Sequence, residues 1–291
     1  MQNSINGMAE RFRKMLQEPG AIELPGCYDT LSAMVLEQVG FKTCFLSGYG
    51  VAASMLGNPD IGLTTLFETI LAVRNVTQAI KIPLVVDVDN GYGNEDNVAR
   101  TVCELEHAGA AAMIMEDQIM PKRCGHSANK KILPLDLYLR KLKSALGARQ
   151  TPMVVIARTD STEIDDAIER TKAFHDLGAD VCLIDGLESL EVAEKVAKNV
   201  PGLKQINLIY GGKSPILPAK KLQELGFKVL LYSTPALYVS MQAMLHSMKQ
   251  LRETSDLNVI SKQSITFKEF QAFIEGHYFE RPYTANLDHE L

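Results

Sequence analysis

The stretch IMEDQIMPKRCGHSANKK, residues 114–131, concentrates reactive groups: Glu116, Asp117, Lys122, Arg123, Cys124 and His126. A cysteine with an imidazole two positions on can serve as a nucleophile or as a general acid–base pair. A lysine or imidazolium beside the thiol favours the thiolate. His126 could equally hydrogen-bond a carboxylate or carbonyl oxygen of a substrate. The alternative is a solvated polar loop with an incidental thiol. An apolar run, residues 110–115, leads into this segment and reads as a buried strand.

A second group of acids lies nearby in sequence. Asp87 and Asp89 end the run IPLVVDVD, and residues two apart share one face of a strand. With Glu116 from the next strand they predict a three-carboxylate cluster, which repels itself unless a cation joins it. Oxygen donors without His or Cys favour Mg²⁺, with Mn²⁺ as the other option, over Zn²⁺. The competing use of such acids is helix N-capping. Asp117 fits either role, and Asp160 reads as structural. NGYGNED (90–96) lacks both GxGxxG and a Walker lysine, so a tight turn explains it better than nucleotide binding.

These residues need a scaffold that brings them together. Apolar runs at 21–24, 42–47, 82–89, 110–117, 152–160, 180–186, 204–210 and 228–233 read as eight strands. Helical patterns alternate with them, such as 95–109, 164–178 and 219–226, and all three end in glycine. Strands apolar on both faces belong to a parallel sheet covered by helices. Eight β/α units predict a (β/α)₈ TIM-type barrel; an open doubly wound sheet is the alternative. The polar residues then fall at strand ends. Ser47 and Gly48 follow strand 2, Asp87 and Asp89 strand 3, and Glu116 and Asp117 strand 4. Arg158 and Asp160 close strand 5, Asp185 closes strand 6, and Asn207 lies in strand 7. Barrel active sites form at that end.

The 291 residues suit one barrel domain spanning 1–291, with the barrel at about 20–250 and a helical extension at about 251–291. A net charge of −5 and scattered basic residues predict no nucleic-acid and no membrane partner. No apolar stretch is long enough to span a bilayer, and the N-terminus lacks a signal-peptide core. It reads instead as an amphipathic helix carrying Met8, Phe12 and Leu16. The five cysteines contain no CxxC pair, which argues against structural zinc or a disulfide framework and for a reducing, cytoplasmic compartment. Cys44, Cys103 and Cys182 read as small core residues, leaving Cys124 placed for reactivity. In the tail, Phe267, Phe270, Phe273, Tyr278 and Phe279 form an apolar set that a neighbouring subunit would cover.

KRCGH (122–126) resembles the signature of the lyase branch of the isocitrate lyase/phosphoenolpyruvate mutase superfamily. FLSGYGVA (45–52), DVDNGYGN (87–94), IMEDQ (114–118), IARTD (156–160) and NLIYGGKSP (207–215) agree with it in register. The resemblance implies a Mg²⁺ enzyme and a homotetramer that swaps its last helix. It implies Asp87 as the direct metal ligand, with Asp60, Asp89 and Glu116 holding metal-bound waters. Ser47 and Gly48 would cradle the carboxylate of a 2-oxo acid, with Tyr49 beside them, and Arg158 would bind the oxo-acid oxygens. Cys124 matches the catalytic acid, Gly125 and His126 its substrate-binding neighbours, and Asn207 a contact to the second carboxylate. Two positions depart from the pattern: Asp185 stands where lyases usually carry Glu, and Tyr210 replaces an acid.

The chemistry so implied is retro-aldol cleavage of a 2-hydroxy di- or tricarboxylate, of the methylisocitrate or dimethylmalate type, to pyruvate or glyoxylate and a carboxylic acid. Cys124 would protonate the carbanion while Lys122, His126 and Asn207 offset the charge of the enolate. Asp185, Tyr49 or a metal-bound water would be the base, and the 118–131 loop would close as a lid. Phosphoenolpyruvate mutase, phosphonopyruvate hydrolase and oxaloacetate hydrolase or decarboxylase activities are the alternatives in the same site. A non-catalytic barrel acting through protein contacts is the third reading, disfavoured by the intact acids, Arg158 and Cys124.

Overall fold

The computed structural model describes residues 2–127 and 129–279. Eight parallel strands close into a barrel in sequence order. They are β1 Ile22–Cys27, β2 Cys44–Leu46, β3 Leu84–Asp87, β4 Ala112–Glu116, β5 Val154–Thr159, β6 Val181–Ile184, β7 Lys204–Leu208 and β8 Val229–Tyr232. The helices are α1 Gln2–Gln17, α2 Thr30–Gln38, α3 Gly48–Val51, α4 Leu66–Ala79, α5 Glu95–His107, α6 Leu135–Ala148, α7 Ile164–Leu177, α8 Leu190–Asn199, α9 Ala219–Leu225, α10 Pro235–Thr254 and α11 Phe267–Phe279. The predicted barrel is thus the observed one. All eight strands were placed, because runs apolar on both faces have no other stable home than a covered parallel sheet.

Two hydrophobic layers hold it. One lies between the sheet and the helices. The other fills the barrel and includes Leu24, Phe45, Ile114, Ile156, Leu183 and Leu231. Helix α1 closes the N-terminal end of the barrel: Phe12 is 0% exposed and Leu16 5%, both packed into the inner layer. Burying such a side chain contributes on the order of 1.5–3 kcal/mol.

The boundaries correct several expectations. β1 runs on through Pro25 and Gly26 to Cys27, because Gly26 and Cys27 pair with Phe45 and Leu46 of β2. β3 stops at Asp87, and Asp89 takes a left-handed φ of 47°. The two aspartates therefore do not share a strand face. Cys103 is only half-buried on α5, whereas Cys44 and Cys182 are core residues. None of the strand-end acids caps a helix: Asn94 caps α5, Pro134 precedes α6 and Glu163 precedes α7.

At the far end, α10 buries no side chain, and Phe267 of α11 is 82% exposed. Residues 280–291 of the tail, and the side chain of Phe279, lie outside the described part. Among the described residues no helix is long and apolar enough to cross a membrane.

Candidate active site

A cavity of about 260 Å³ opens at the C-terminal ends of the strands. Phe45, Ile114, Leu183 and Leu231, the top of the inner layer, form its apolar floor. Ser47, Asp87, Arg158, Asp185 and Asn207 reach it from the strand ends, and Cys124, Gly125 and His126 from the loop after β4. Tyr49 and Asp60 also line it. That size suits a small carboxylic acid rather than a nucleotide.

Arg158 is the centre of its charge. Nη2 lies 2.7 Å from Asp185 Oδ2 and 3.2 Å from Glu116 Oε2. The same nitrogen donates to Asp160 Oδ1 at 3.0 Å, while Nε lies 3.0 Å from Asp160 Oδ2. Asp185 is further held by Asn207 Nδ2, which donates to its Oδ1 at 2.9 Å. Ser233 Oγ in turn donates to Asn207 Oδ1. Burial alone would raise the Asp185 pKa. Arg158 and His126 outweigh it and hold the carboxyl far below the usual range. Asp185 is therefore a weak proton acceptor. Tyr49, hydrogen-bonded to Tyr238 and partly desolvated, is pushed up to about 12 and stays a neutral phenol.

The acids around β3 are arranged differently from the expected cluster. Lys122 Nζ sits 2.7 Å from Asp60 Oδ1 and 2.5 Å from Asp89 Oδ1, with its side chain 2% exposed. Burial opposes its charge, but Asp89, Glu116, Asp87 and Asp60 raise its pKa well above the ordinary lysine value. Lys122 does not line the cavity. It is thus committed to carboxylates, which corrects its expected roles of activating the thiol and offsetting enolate charge. Burial, with Asp87 and Asp60 adding negative charge, pushes Asp89 up to about 6 despite Lys122. Asp117 turns away from the cavity. It accepts from the Thr159 hydroxyl at 2.6 Å, the Asp160 amide at 2.9 Å and Arg170 Nη1 at 3.3 Å, a structural role.

Residues 124–127 of the segment after β4 lie over the cavity. Gln118 clamps its start, donating from Nε2 to the Arg123 carbonyl at 2.7 Å and accepting from the Arg123 amide at 2.9 Å. Ile119 N–H donates to the Lys131 carbonyl at 2.8 Å, closing the base of the loop. Gly125 passes so close that an added Cβ would overlap Asp185 Oδ2 and Arg158 Nη2. Burial raises the Cys124 pKa, and nearby Asp185 and Asp60 add to the effect although the His126 amide and Arg158 oppose it. The raised pKa favours the thiol form of Cys124, in line with the expected general acid and against a thiolate nucleophile.

The phosphoenolpyruvate phosphomutase family model matches residues 12–252. The chain belongs to the isocitrate lyase/phosphoenolpyruvate mutase superfamily. It is 35% identical to 2,3-dimethylmalate lyase of Eubacterium barkeri, over 90% of this chain and 92% of that protein. It is 33% identical to 2-methylisocitrate lyase of Aeropyrum pernix, over 93% of this chain and 88% of that one. The structure of oxaloacetate acetylhydrolase with 3,3-difluorooxalacetate superposes with a TM-score of 0.89 at 30% identity, covering 95% of this chain and 96% of that one. Relatives named as lyases make this chain an enzyme of the lyase type within the superfamily.

A divalent cation fits the superfamily site. Glu116 Oε1 is buried without a partner, and Oε2 has the Arg158 ion pair but no hydrogen bond. Among the described residues, Asp87 accepts hydrogen bonds from backbone amides alone, of Gly48 at 3.3 Å and Asp89 at 3.2 Å. A Cβ at Gly48 would stand 2.8 Å from Asp87 Oδ2, so glycine is what lets the β2 loop reach that carboxylate. Among the described residues no group of three His, Cys, Asp or Glu side chains is placed to hold a metal ion by itself, so the ion would keep waters in its shell. An all-oxygen, open donor set of this kind suits Mg²⁺, which keeps most of its waters.

Three participants escaped the sequence reading. Ser233 orients Asn207 from the end of β8, which like β1 had been left without a role; its polarity was the available signal. Lys213 supplies a backbone amide, which no side-chain pattern reveals. Lys130 reaches Asp160 Oδ1 at 3.0 Å, with side-chain exposures of 2% and 0%. Tyr210, expected beside the second carboxylate, stands at the rim and is 85% exposed.

Proposed function

We propose that this enzyme cleaves a carbon–carbon bond of a 2-hydroxy di- or tricarboxylate, releasing a 2-oxo acid and a carboxylic acid. The observation that carries the reading is the placement of Cys124 over a cavity lined by Arg158, Asp185, Asn207 and Asp87, where burial raises its thiol pKa and so favours the acid form. Ser47 and Gly48 would seat the oxo-acid carboxylate, and Arg158 the adjoining oxygen. The hydroxyl proton would pass to a water held among Asp60, Asp89 and Glu116, because Asp185 is held ionised by Arg158 and Tyr49 stays protonated, and the oxygen it leaves would become the new carbonyl as the bond breaks. Tyr49, as a neutral phenol, would donate toward it. His126 and Asn207 would stabilise the charge left on the departing carboxylate fragment, and the Cys124 thiol would protonate its carbon. Asp87 would ligate Mg²⁺ or Mn²⁺ directly, with Asp60, Asp89 and Glu116 around its waters. When bound, that ion polarises the hydroxyl and its neighbouring carboxylate.

A Mg²⁺-dependent assay for 2-oxo acid release tests this, run with 2-methylisocitrate, 2,3-dimethylmalate, isocitrate, oxaloacetate and phosphonopyruvate. Cleavage of one of the first three is the expected outcome. The likeness to oxaloacetate acetylhydrolase supports a second reading, hydrolysis of oxaloacetate to oxalate and acetate. Turnover of oxaloacetate alone would select it. The exposed Met241, Met244, Leu245 and Met248 of α10 support assembly as a homotetramer with exchanged C-terminal helices. Sedimentation as a monomer would reject that assembly.

A further inference from the structure

Two lysines of the 118–132 loop are buried among carboxylates of the barrel, one on each side of Cys124. Lys122 occupies the Asp60–Asp89 pair. Lys130 meets Asp160, whose two oxygens also face Nε and Nη2 of Arg158. The Arg158 guanidinium has three carboxylates around it, from Asp160, Asp185 and Glu116. Lys130 brings a second positive charge to this group, and it does so from the loop that carries Cys124. A buried carboxylate stripped of one of its cations is costly. The contact therefore links the loop's position to the setting of Arg158.

We propose that Lys130 is a positioning residue: its ion pair with Asp160 holds the Cys124 loop in place and fixes Arg158 for substrate. This rests on the reading that Cys124 and Arg158 act on the substrate. Lys130 itself lies outside the cavity lining, so it touches neither reacting carbon nor metal.

The test compares Lys130→Met and Lys130→Arg with the wild type. Cys124 alkylation by iodoacetamide is followed by peptide mass mapping, alongside kcat, KM and Tm. In Lys130→Met, Cys124 should alkylate about tenfold faster, as expected when a docked segment opens locally. kcat should fall about a hundredfold through misplacement of the acid and Arg158, with KM raised through Arg158 and Tm little changed, because a lifted loop lets water reach Asp160. Lys130→Arg should restore both. Unchanged alkylation in Lys130→Met overturns the proposal, as does a Tm loss that accounts for the lost activity. Failure of Lys130→Met to fold also counts against it, because a loop anchor is dispensable to the barrel. If the wild type turns over none of the acids tested, the functional reading fails, and the alkylation comparison still decides the role of Lys130.

Discussion

The Lys213 amide donates to His126 Nδ1 at 2.9 Å, which leaves the proton of the neutral imidazole on Nε2, 3.4 Å from Asp185 Oδ1. One backbone amide of the loop after β7 thus selects the tautomer of a residue on the loop after β4. The imidazole faces the cavity as a donor, beside Asn207 Nδ2, another donor. A carboxylate fragment released in this corner meets hydrogen-bond donors on two sides.

Cys124→Ser should lower carbon–carbon cleavage by about a hundredfold to ten-thousandfold, the range for a lost general acid, and leave the fold intact. Because burial raises the thiol pKa above its ordinary 9.0, the acid form persists to higher pH than in a free cysteine. The alkaline limb of kcat/KM should therefore lie above pH 9.0. A limb below that value would remove Cys124 from the role.

Chelation should abolish turnover, and added Mg²⁺ should restore it. Asp87→Ala should reduce activity by about a hundredfold to a thousandfold, the scale of losing electrostatic stabilisation at the reacting atoms, and weaken Mn²⁺ binding read by electron paramagnetic resonance. Unaltered Mn²⁺ affinity in that variant would show that Asp87 is not a ligand.

Gly125→Ala places a methyl group against Asp185 and Arg158. The loop must then lift, and activity should drop about a hundredfold with Tm almost unmoved, since the barrel core is untouched. A wild-type rate would mean that the loop tolerates a raised position.

Lys141 of α6 is 6% exposed. Burial lowers its pKa from 10.5 to about 8, against the opposing pull of Glu95 and Glu116. The unfolded chain keeps this proton up to 10.5 and the folded protein releases it near 8, so the group's contribution to stability rises with pH across that window. Lys141→Met should stabilise the protein at neutral pH by on the order of 1–2 kcal/mol, and the gain should shrink as pH approaches 10.5. Thermal melts across the window read it; a destabilised variant at neutral pH would contradict the sign.

The barrel was legible because burial on both faces writes a continuous apolar run, and the strand ends then picked out Asp87, Arg158, Asp185 and Asn207. What the sequence hid depends on where chains leave their strands. Asp89 looked like a face-mate of Asp87, but its left-handed backbone sends it to Lys122. Lys122 looked like a partner for Cys124, being two residues away; the turn between them separates it from the cavity. Lys130 and Asp160 are thirty positions apart, and nothing local in either segment announces that they meet.

The inner layer that fills the barrel, backed by Phe12 of helix α1, leaves the cavity blind at its floor. Whatever passes the Cys124 loop on the way in must pass it again on the way out. If the proposed cleavage occurs there, the fragment protonated by Cys124 lies nearer the exit, and the one seated at Ser47 and Asp87 lies behind it. Departure then has an order, and the oxo acid is last to go. Its inhibition should compete with substrate, while the other product's should not.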